Sequence, residues 1–394
     1  MGTVKSLEDE MPIVTVMAAM AISHTGLSPI IKWAGGKERE LPRIFECAPS
    51  SYNRFFDPFV GGGSVAMATP ISGGHFINDK SEELISLYRA IKNQDCAVFD
   101  ALDRVSTSWK KTFAFVDEHP ELKGIYERYR SDETTQEETK NSLFDFIRKE
   151  FDGLVLCLGA DAVATNLYEK ELQRNVTQKF WRMKKIETER NRMPDKDLTD
   201  NIRTAFMGSL YMYYRSLYNG DAPVSESMKV ALFVFIRNYA YSGMFRYNAN
   251  GAFNVPYGGI GYNGKTLDKK IAYYRSKEVK DHLAHTMIEC LDFEEFFRKH
   301  PPQEDDFIFL DPPYDSEFST YAKNTFDKED QTRLANYLIK ECKGKWLMVI
   351  KNTPFIYSLY DGHGLTIRSF DKKYQVSFMN RNDRNVQHLI ITNY

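Results

Sequence analysis

Phe55-Phe56-Asp57-Pro58-Phe59-Val60-Gly61-Gly62-Gly63-Ser64-Val65-Ala66 narrows the folds open to this chain more than any other stretch. An apolar run, three consecutive glycines and a second apolar pattern read as a strand, a glycine-rich turn and the start of a helix. Glycine lets a backbone come close to a ligand, and the N–H groups of such a turn and of the following helix face it. His75-Phe76-Ile77-Asn78-Asp79 then reads as a second strand ending in an acid. Asp79 follows the glycines by roughly 20 residues, the spacing at which nucleotide-binding α/β folds set a carboxylate on ribose hydroxyls. Strand, turn, helix, strand and acid in that order point to an open α/β sheet with an adenosine-containing ligand at its edge.

A second strand end carries chemistry. Phe307-Ile308-Phe309-Leu310 reads as a buried parallel strand, and Asp311-Pro312-Pro313-Tyr314 follows it directly. Two prolines stop the strand and stiffen what comes next, so an acid and an aromatic ring are held at its carboxyl end. Ligands bind at that edge of open α/β sheets. The acid can accept a hydrogen bond from an amino group, and the ring can stack on a flat substrate. Taken alone, the four residues read equally well as a turn with a surface tyrosine.

The rest of the chain supplies context. Lys32-Trp33-Ala34-Gly35-Gly36-Lys37 holds a glycine pair without the spacing or Ser/Thr of a phosphate-binding P-loop. Residues 81–92 suit a helix with Leu84, Leu87, Tyr88 and Ile91 on one face. From there to about 204 the pattern is charged and helical, and 205–236 reads as core helices. Lys179, Arg182, Lys184, Lys185, Arg190 and Arg192 surround Trp181, which suits phosphate contact or, equally, a solvated helix face balanced by Glu187 and Glu189. Around Ala249-Asn250-Gly251, the runs 244–248 and 252–255 form a hairpin signal, with Met244, Arg246 and Asn248 on one face. Such a ribbon fits a DNA major groove, where arginine reads guanine, or is simply structural. Further strands are expected at 286–291, 346–350, 376–379 and 387–392, the last two as an antiparallel pair, with a helix at 328–341. Phe318, Tyr321 and Phe326 follow Tyr314 closely enough to wall a pocket.

Composition excludes several classes. The chain has 394 residues and a net charge of -2, so any basic surface must be local. Its 23 Tyr and 27 Phe imply mainly a large aromatic core. The five cysteines are scattered without a CxxC pair, against a structural zinc site or a disulfide framework and in favour of a reducing cytoplasm. Residues 11–22 are apolar but too short to span a bilayer and follow three acids, unlike a signal peptide. Residues 1–24 read as an N-terminal extension.

In this order, the stretches 32–37, 57–65, 78–88, 239–257, 310–314 and 385–394 resemble the Dam-type adenine-N6 DNA methyltransferases, the D12 class with α-group motif order. The resemblance implies a Rossmann-like, S-adenosylmethionine-dependent catalytic domain in residues 25–85 and 265–394. A mainly helical target-recognition domain carrying the hairpin is inserted as 86–264. It implies S-adenosylmethionine near Trp33, Lys37, Asp57, Phe59, Gly61, Gly63, Asp79 and Asp311, with Asp292 and Phe293 beside its adenine. Asp311, Pro312 and Tyr314 fall at the catalytic positions. Lys32, Tyr241, Ser242, Met244 and Arg246 fall at DNA-contacting positions. The family commonly has asparagine where this chain has Ser242, and its smallest members are much shorter between 92 and 237. The resemblance further implies duplex DNA as partner, a flipped target adenine, a nucleoid-associated location and a cognate restriction endonuclease as a possible companion; no metal or membrane is implied. GATC is a first guess at the site. Methylation of RNA adenine, a catalytically silent DNA-binding protein, and an assembly subunit docking through 93–236 are the competing readings.

Overall fold

A computed structural model describes residues 5–6, 24–33, 35–159, 162–314, 326–373 and 385–394. Among these, eight strands form one sheet: β1 (Lys5–Ser6), β2 (Arg54–Asp57), β3 (Gly74–Asn78), β4 (Thr286–Glu289), β5 (Phe307–Leu310), β6 (Lys345–Lys351), β7 (Thr366–Lys373) and β8 (Asn385–Thr392). Their order is β1-β7-β8-β6-β5-β2-β3-β4. The run from β6 to β4 is parallel, and β8 lies antiparallel between β6 and β7. This is the Rossmann-like arrangement expected of a methyltransferase. From β2 the chain moves outward through β3 to β4, then returns to lay β5 on the other side of β2. The order reverses there, so the crevice at the carboxyl ends of β2 and β5 is the topological switch point.

The helices in chain order are α1 (Leu41–Cys47), α2 (Ser64–Ala68), α3 (Glu82–Asn93), α4 (Cys96–Glu118), α5 (Glu121–Arg130), α6 (Gln136–Leu158), α7 (Thr165–Glu189), α8 (Asp195–Tyr218), α9 (Glu226–Tyr239), α10 (Asp268–Tyr274), α11 (Lys277–Ala284), α12 (Phe293–Lys299), α13 (Lys328–Lys340) and α14 (Pro354–Tyr360). The chain divides into two compact units, residues 1–93 with 276–394, and 94–275. These limits fall later than the expected 85/86 and 264/265. Helix α3 stays with the sheet because Leu84, Leu87, Tyr88 and Ile91 are buried there, and α11 packs on α3 and β4.

In the sheet unit, alternate strand residues make one core face: Phe56, Ile308, Leu310, Trp346, Met348, Ile350, Leu389 and Ile391. Phe293, Phe296 and Phe297 of α12, Leu334 and Leu338 of α13, and Ile356 and Tyr360 of α14 cover it. Period-two burial on the strands meets period-3.6 burial on the helices. The partner of β8 is β7 at 366–373, a strand missed in the sequence because its residues alternate polar and apolar only weakly. The expected strand at 376–379 lies outside the described residues.

The second unit is helical, as its sequence suggests. Its aromatics are core: Trp109 packs on Tyr239 with centroids 4.0 Å apart, and its indole N–H donates to the Asn263 carbonyl at 3.2 Å. The hydroxyls of Tyr211 and Tyr239 donate to the Val255 and Lys265 carbonyls at 2.9 Å each. Lys184 pairs with Asp132, Lys185 with Glu189 and Arg192 with Glu127, so much of the basic run serves the helix surface. Among the described residues, no helix is long and apolar enough to cross a membrane.

Candidate active site

The glycine turn is built by contacts no side chain would tolerate. A Cβ on Gly62 would sit 2.3 Å from the Ile31 carbonyl oxygen, and one on Gly61 would sit 2.7 Å from Cδ1 of Trp33. Gly63 has φ +82° and leaves 2.3 Å between a Cβ and the Tyr88 hydroxyl. Segment 30–33 therefore lies directly on the turn, and Trp33 rests on Gly61. The Ile30 N–H donates to the Gly62 carbonyl at 2.9 Å, and the Tyr88 hydroxyl donates to the Gly61 carbonyl at 3.1 Å. Asn78 ties the strand ends together: its amide donates to the Pro58 and Leu291 carbonyls at 3.1 and 3.0 Å and accepts from the Leu291 N–H at 2.9 Å. Neither Tyr88 nor Asn78 was singled out for this role in the sequence. Asn78 stands beside the acid that was, and Tyr88 was read only as buried.

Asp79 follows β3 and accepts from the Gly61 and Ser81 N–H groups at 3.0 and 2.9 Å. Burial pushes its carboxyl up, while those N–H groups pull it back. Asp57 ends β2 and is buried, accepting from the Phe59 N–H at 3.3 Å. Burial, and next the charge of Asp311, pushes the Asp57 carboxyl well above the usual carboxylate range. Asp311 begins where the neighbouring strand β5 stops.

Lys37 joins these strand ends. Its side chain is 2% exposed, and its ammonium pairs with Oδ2 of Asp311. The same group donates to the Gly35 carbonyl at 2.8 Å and to the Tyr314 hydroxyl at 3.2 Å. Pro312 is buried and Tyr314 half-buried. The Gln331 side-chain amide donates to the Pro313 carbonyl at 2.7 Å, and His388 Nε2 lies 3.3 Å from the Tyr314 hydroxyl. Gln331, Lys37 and His388 thus hold the Asp-Pro-Pro-Tyr turn from three sides. A ring cluster adjoins it: Phe59, Phe293 and Phe326 have mutual centroid distances of 5.5 to 5.9 Å. Asp292 caps α12 through the Glu294 N–H and faces Arg333 at 3.2 Å and Lys80 at 3.7 Å. Phe318 and Tyr321 lie outside the described residues.

Three acids, Asp57, Asp79 and Asp311, share one crevice with the ammonium of Lys37. A buried acid excess of this kind favours a cationic ligand.

The model of the D12 class N6 adenine-specific DNA methyltransferases matches residues 33–376. The chain belongs to this family. It is similar to the Type II methyltransferase M.CviBI of Paramecium bursaria Chlorella virus NC1A, 27% identical over 93% of this chain and 100% of that protein. It is also similar to the Type II methyltransferase M.MjaIII of Methanocaldococcus jannaschii, 25% identical over 86% and 90% of the two chains. A DNA adenine methylase of Haemophilus influenzae is 21% identical over 85% and 83%. As a D12-class enzyme the chain is an adenine-specific DNA methyltransferase.

Within the D12 member's helical unit, the hairpin is less regular than its sequence suggests. Only isolated bridges form, Tyr247 with Phe253 and Ala240 with Tyr257, rather than two continuous strands. The arms still bond each other, the Asn248 N–H to the Ala252 carbonyl at 2.9 Å and the Asn254 N–H to the Arg246 carbonyl at 3.1 Å. The outer edge of the second arm is held by Asn219, just after α8, which pairs both ways with Phe253, and by Arg215 of α8, which donates to the Val255 carbonyl at 3.1 Å. Phe245, Phe253 and Val255 point inward, while Arg246 is exposed with Nε donating to the Asn254 side chain at 2.9 Å. Tyr241 is 51% exposed. Ser242 has φ +52°, a left-handed conformation in which asparagine is more at ease than serine. Met244 is half-buried and Lys32, in the sheet unit, is exposed.

Proposed function

We propose that this D12 enzyme takes its methyl group from S-adenosylmethionine and delivers it to N6 of an adenine flipped out of duplex DNA. The observation that carries the proposal is the crevice between β2 and β5, where Asp57, Asp79 and Asp311 outnumber Lys37. S-adenosylmethionine is cationic at its sulfonium and amino groups, which fits that donor set. When bound, it supplies an electrophilic methyl group.

The chain's own residues do the rest. Asp79 takes the ribose hydroxyls, since a carboxylate has lone pairs left after two backbone N–H groups. The Gly61–Gly63 turn and Trp33 close on the methionine portion. Phe59 and Phe293 offer an apolar slot for the cofactor's adenine, with Asp292 at its rim. Flipping the target adenine costs a few kcal/mol, and stacking on Tyr314 offsets part of it. Asp311 and the Pro312 carbonyl accept from the N6 amino group. This turns the nitrogen lone pair toward the methyl group and stabilises the positive charge that grows on N6 during transfer. The hairpin, with Tyr241, Ser242, Met244 and Arg246, reads the duplex, and Lys32 adds a contact from the sheet unit. The names of the similar Type II enzymes favour a restriction-modification setting with a cognate endonuclease.

The test is transfer of labelled methyl from S-adenosylmethionine to unmethylated plasmid DNA, to its separated strands and to RNA, followed by nucleoside chromatography. N6-methyladenine from the duplex is expected. Label found only in RNA, or none in any polymer, would overturn the proposal.

A further inference from the structure

His388 lies in β8, 74 residues beyond Tyr314, outside the strand end that carries the acid and the ring. It is fully buried. Its ring meets the Tyr314 ring edge-on, with centroids 5.5 Å apart, and has Phe370 of β7 at 5.7 Å. Its Nε2 lies 3.3 Å from the Tyr314 hydroxyl, while Lys37 Nζ lies 3.2 Å from that same oxygen. An ammonium has protons to give and no lone pair. The Tyr314 oxygen therefore accepts from Lys37, and its own proton is left to donate. Nε2 is an acceptor within reach of that proton when the imidazole is neutral with its proton on Nδ1.

We infer that His388 is a positioning residue for Tyr314, fixing the plane on which the target adenine stacks. The inference rests on the stacking role proposed above for Tyr314. A tyrosine held only at its Cα can swing about two side-chain torsions. Here the far end of the ring is held as well, between Lys37 and His388, and Lys37 is also the partner of Asp311. One chain of contacts, Asp311–Lys37–Tyr314–His388, thus sets both the acceptor for N6 and the floor beneath the base. Their mutual geometry decides whether the N6 lone pair meets the methyl group, and small misplacements of reacting groups are costly in rate. Phe370 behind His388 keeps the imidazole from retreating.

The experiment is a double-mutant cycle with Tyr314→Phe and His388→Phe, measuring kcat and KM for plasmid DNA with labelled S-adenosylmethionine. Tyr314→Phe keeps the stacking ring and removes the hydroxyl. His388→Phe is expected to lose about three- to tenfold in kcat with little change in KM, the size of one neutral positioning hydrogen bond, and Tyr314→Phe at least as much, because it removes the Lys37 contact too. The double variant is expected to lose no more than the worse single. His388→Gln, whose side-chain oxygen can accept, is expected to recover most of the rate. Nitrogen NMR gives a readout independent of activity. The His388 Nε2 resonance of the wild-type protein should report an unprotonated, hydrogen-bonded nitrogen and shift in Tyr314→Phe. Multiplicative losses in the cycle, or an Nε2 indifferent to Tyr314→Phe, would overturn the inference. A wild-type protein that transfers no methyl to DNA would instead overturn the underlying reading, while the NMR result would still decide the contact.

Discussion

Replacing Asp311 by alanine removes more than the acceptor proposed for N6, because Asp311 is the charge partner of a lysine that has almost no water around it. The side chains of Lys37 and Asp311 are 2% and 20% exposed. Breaking a buried ion pair from one side costs about 3–5 kcal/mol, most of it from the charge left behind. Two features reduce that figure. Asp311 is partly solvated, and Asp57 is near enough to feel the Lys37 charge and can take part of the load. Asp311→Ala is therefore expected to destabilise the sheet unit by about 2–3 kcal/mol and to abolish methyl transfer. Adding Lys37→Met removes the stranded ammonium. The double variant should regain about 2 kcal/mol while remaining inactive, because stability and chemistry depend on different halves of the pair. Hydrogen exchange of peptides covering β2 and β5, measured against urea, reads this locally and avoids assuming that both units unfold together. An Asp311→Ala protein as stable as wild type would refute the reasoning. So would a double variant whose loss equals the sum of the two singles.

Three other outcomes follow from the geometry. Gly63→Ala puts a Cβ 2.3 Å from the Tyr88 hydroxyl at φ +82° and should cost about 2 kcal/mol or more, with Tyr88→Phe relieving the clash but not the backbone strain; thermal melting of the three variants checks this. The raised Asp57 carboxyl implies a sign: a buried acid stabilises the fold below its unfolded pKa, and that contribution is lost as pH rises through the raised folded value. Asp57→Asn should therefore flatten the decline in stability with rising pH. S-adenosylmethionine binding to the wild type should tighten and release a proton across the same window; calorimetry in buffers of different ionisation heat would show no proton release if this is wrong. Arg246→Ala should relax sequence choice by about 1–3 kcal/mol at one base pair, read from methylation of substituted duplexes, and unchanged discrimination would remove Arg246 as a reader.

Much of the fold was legible because its signals are local. The strand at Phe307–Leu310, the glycine turn and the buried face of α3 each follow from period, glycine content or proline position within a dozen residues. The Asn-Gly hairpin was legible as a turn with two bonded arms but not as one whose second arm is held along its outer edge by Asn219 and by Arg215 of α8, over thirty residues away. β7 was missed because a strand of mixed polarity, flanked on its outer side only by the two-residue β1, has little pattern of its own.

The site divides in the same way. Asp311 and Tyr314 announce themselves because two prolines fix them at a strand end. Lys37 by its own pattern announces only a glycine-rich loop; the resemblance sets it near the cofactor, but nothing local points to its partner Asp311, 274 residues away. Asp57 reads as the last residue of a strand, and nothing nearby in the chain tells that the fold sets a second acid at the end of the adjoining strand. That adjacency follows from the reversal of strand order between β2 and β5. It brings the carboxyl ends of two strands far apart in sequence to one crevice and gathers more acid there than one lysine can balance. On the proposed function, selectivity for a cationic methyl donor follows from the topology, and swapping Asp57 or Asp79 for its amide should weaken binding of S-adenosylmethionine more than binding of its neutral-sulfur demethylated product. Equal losses for the two would show that the acids serve the fold alone.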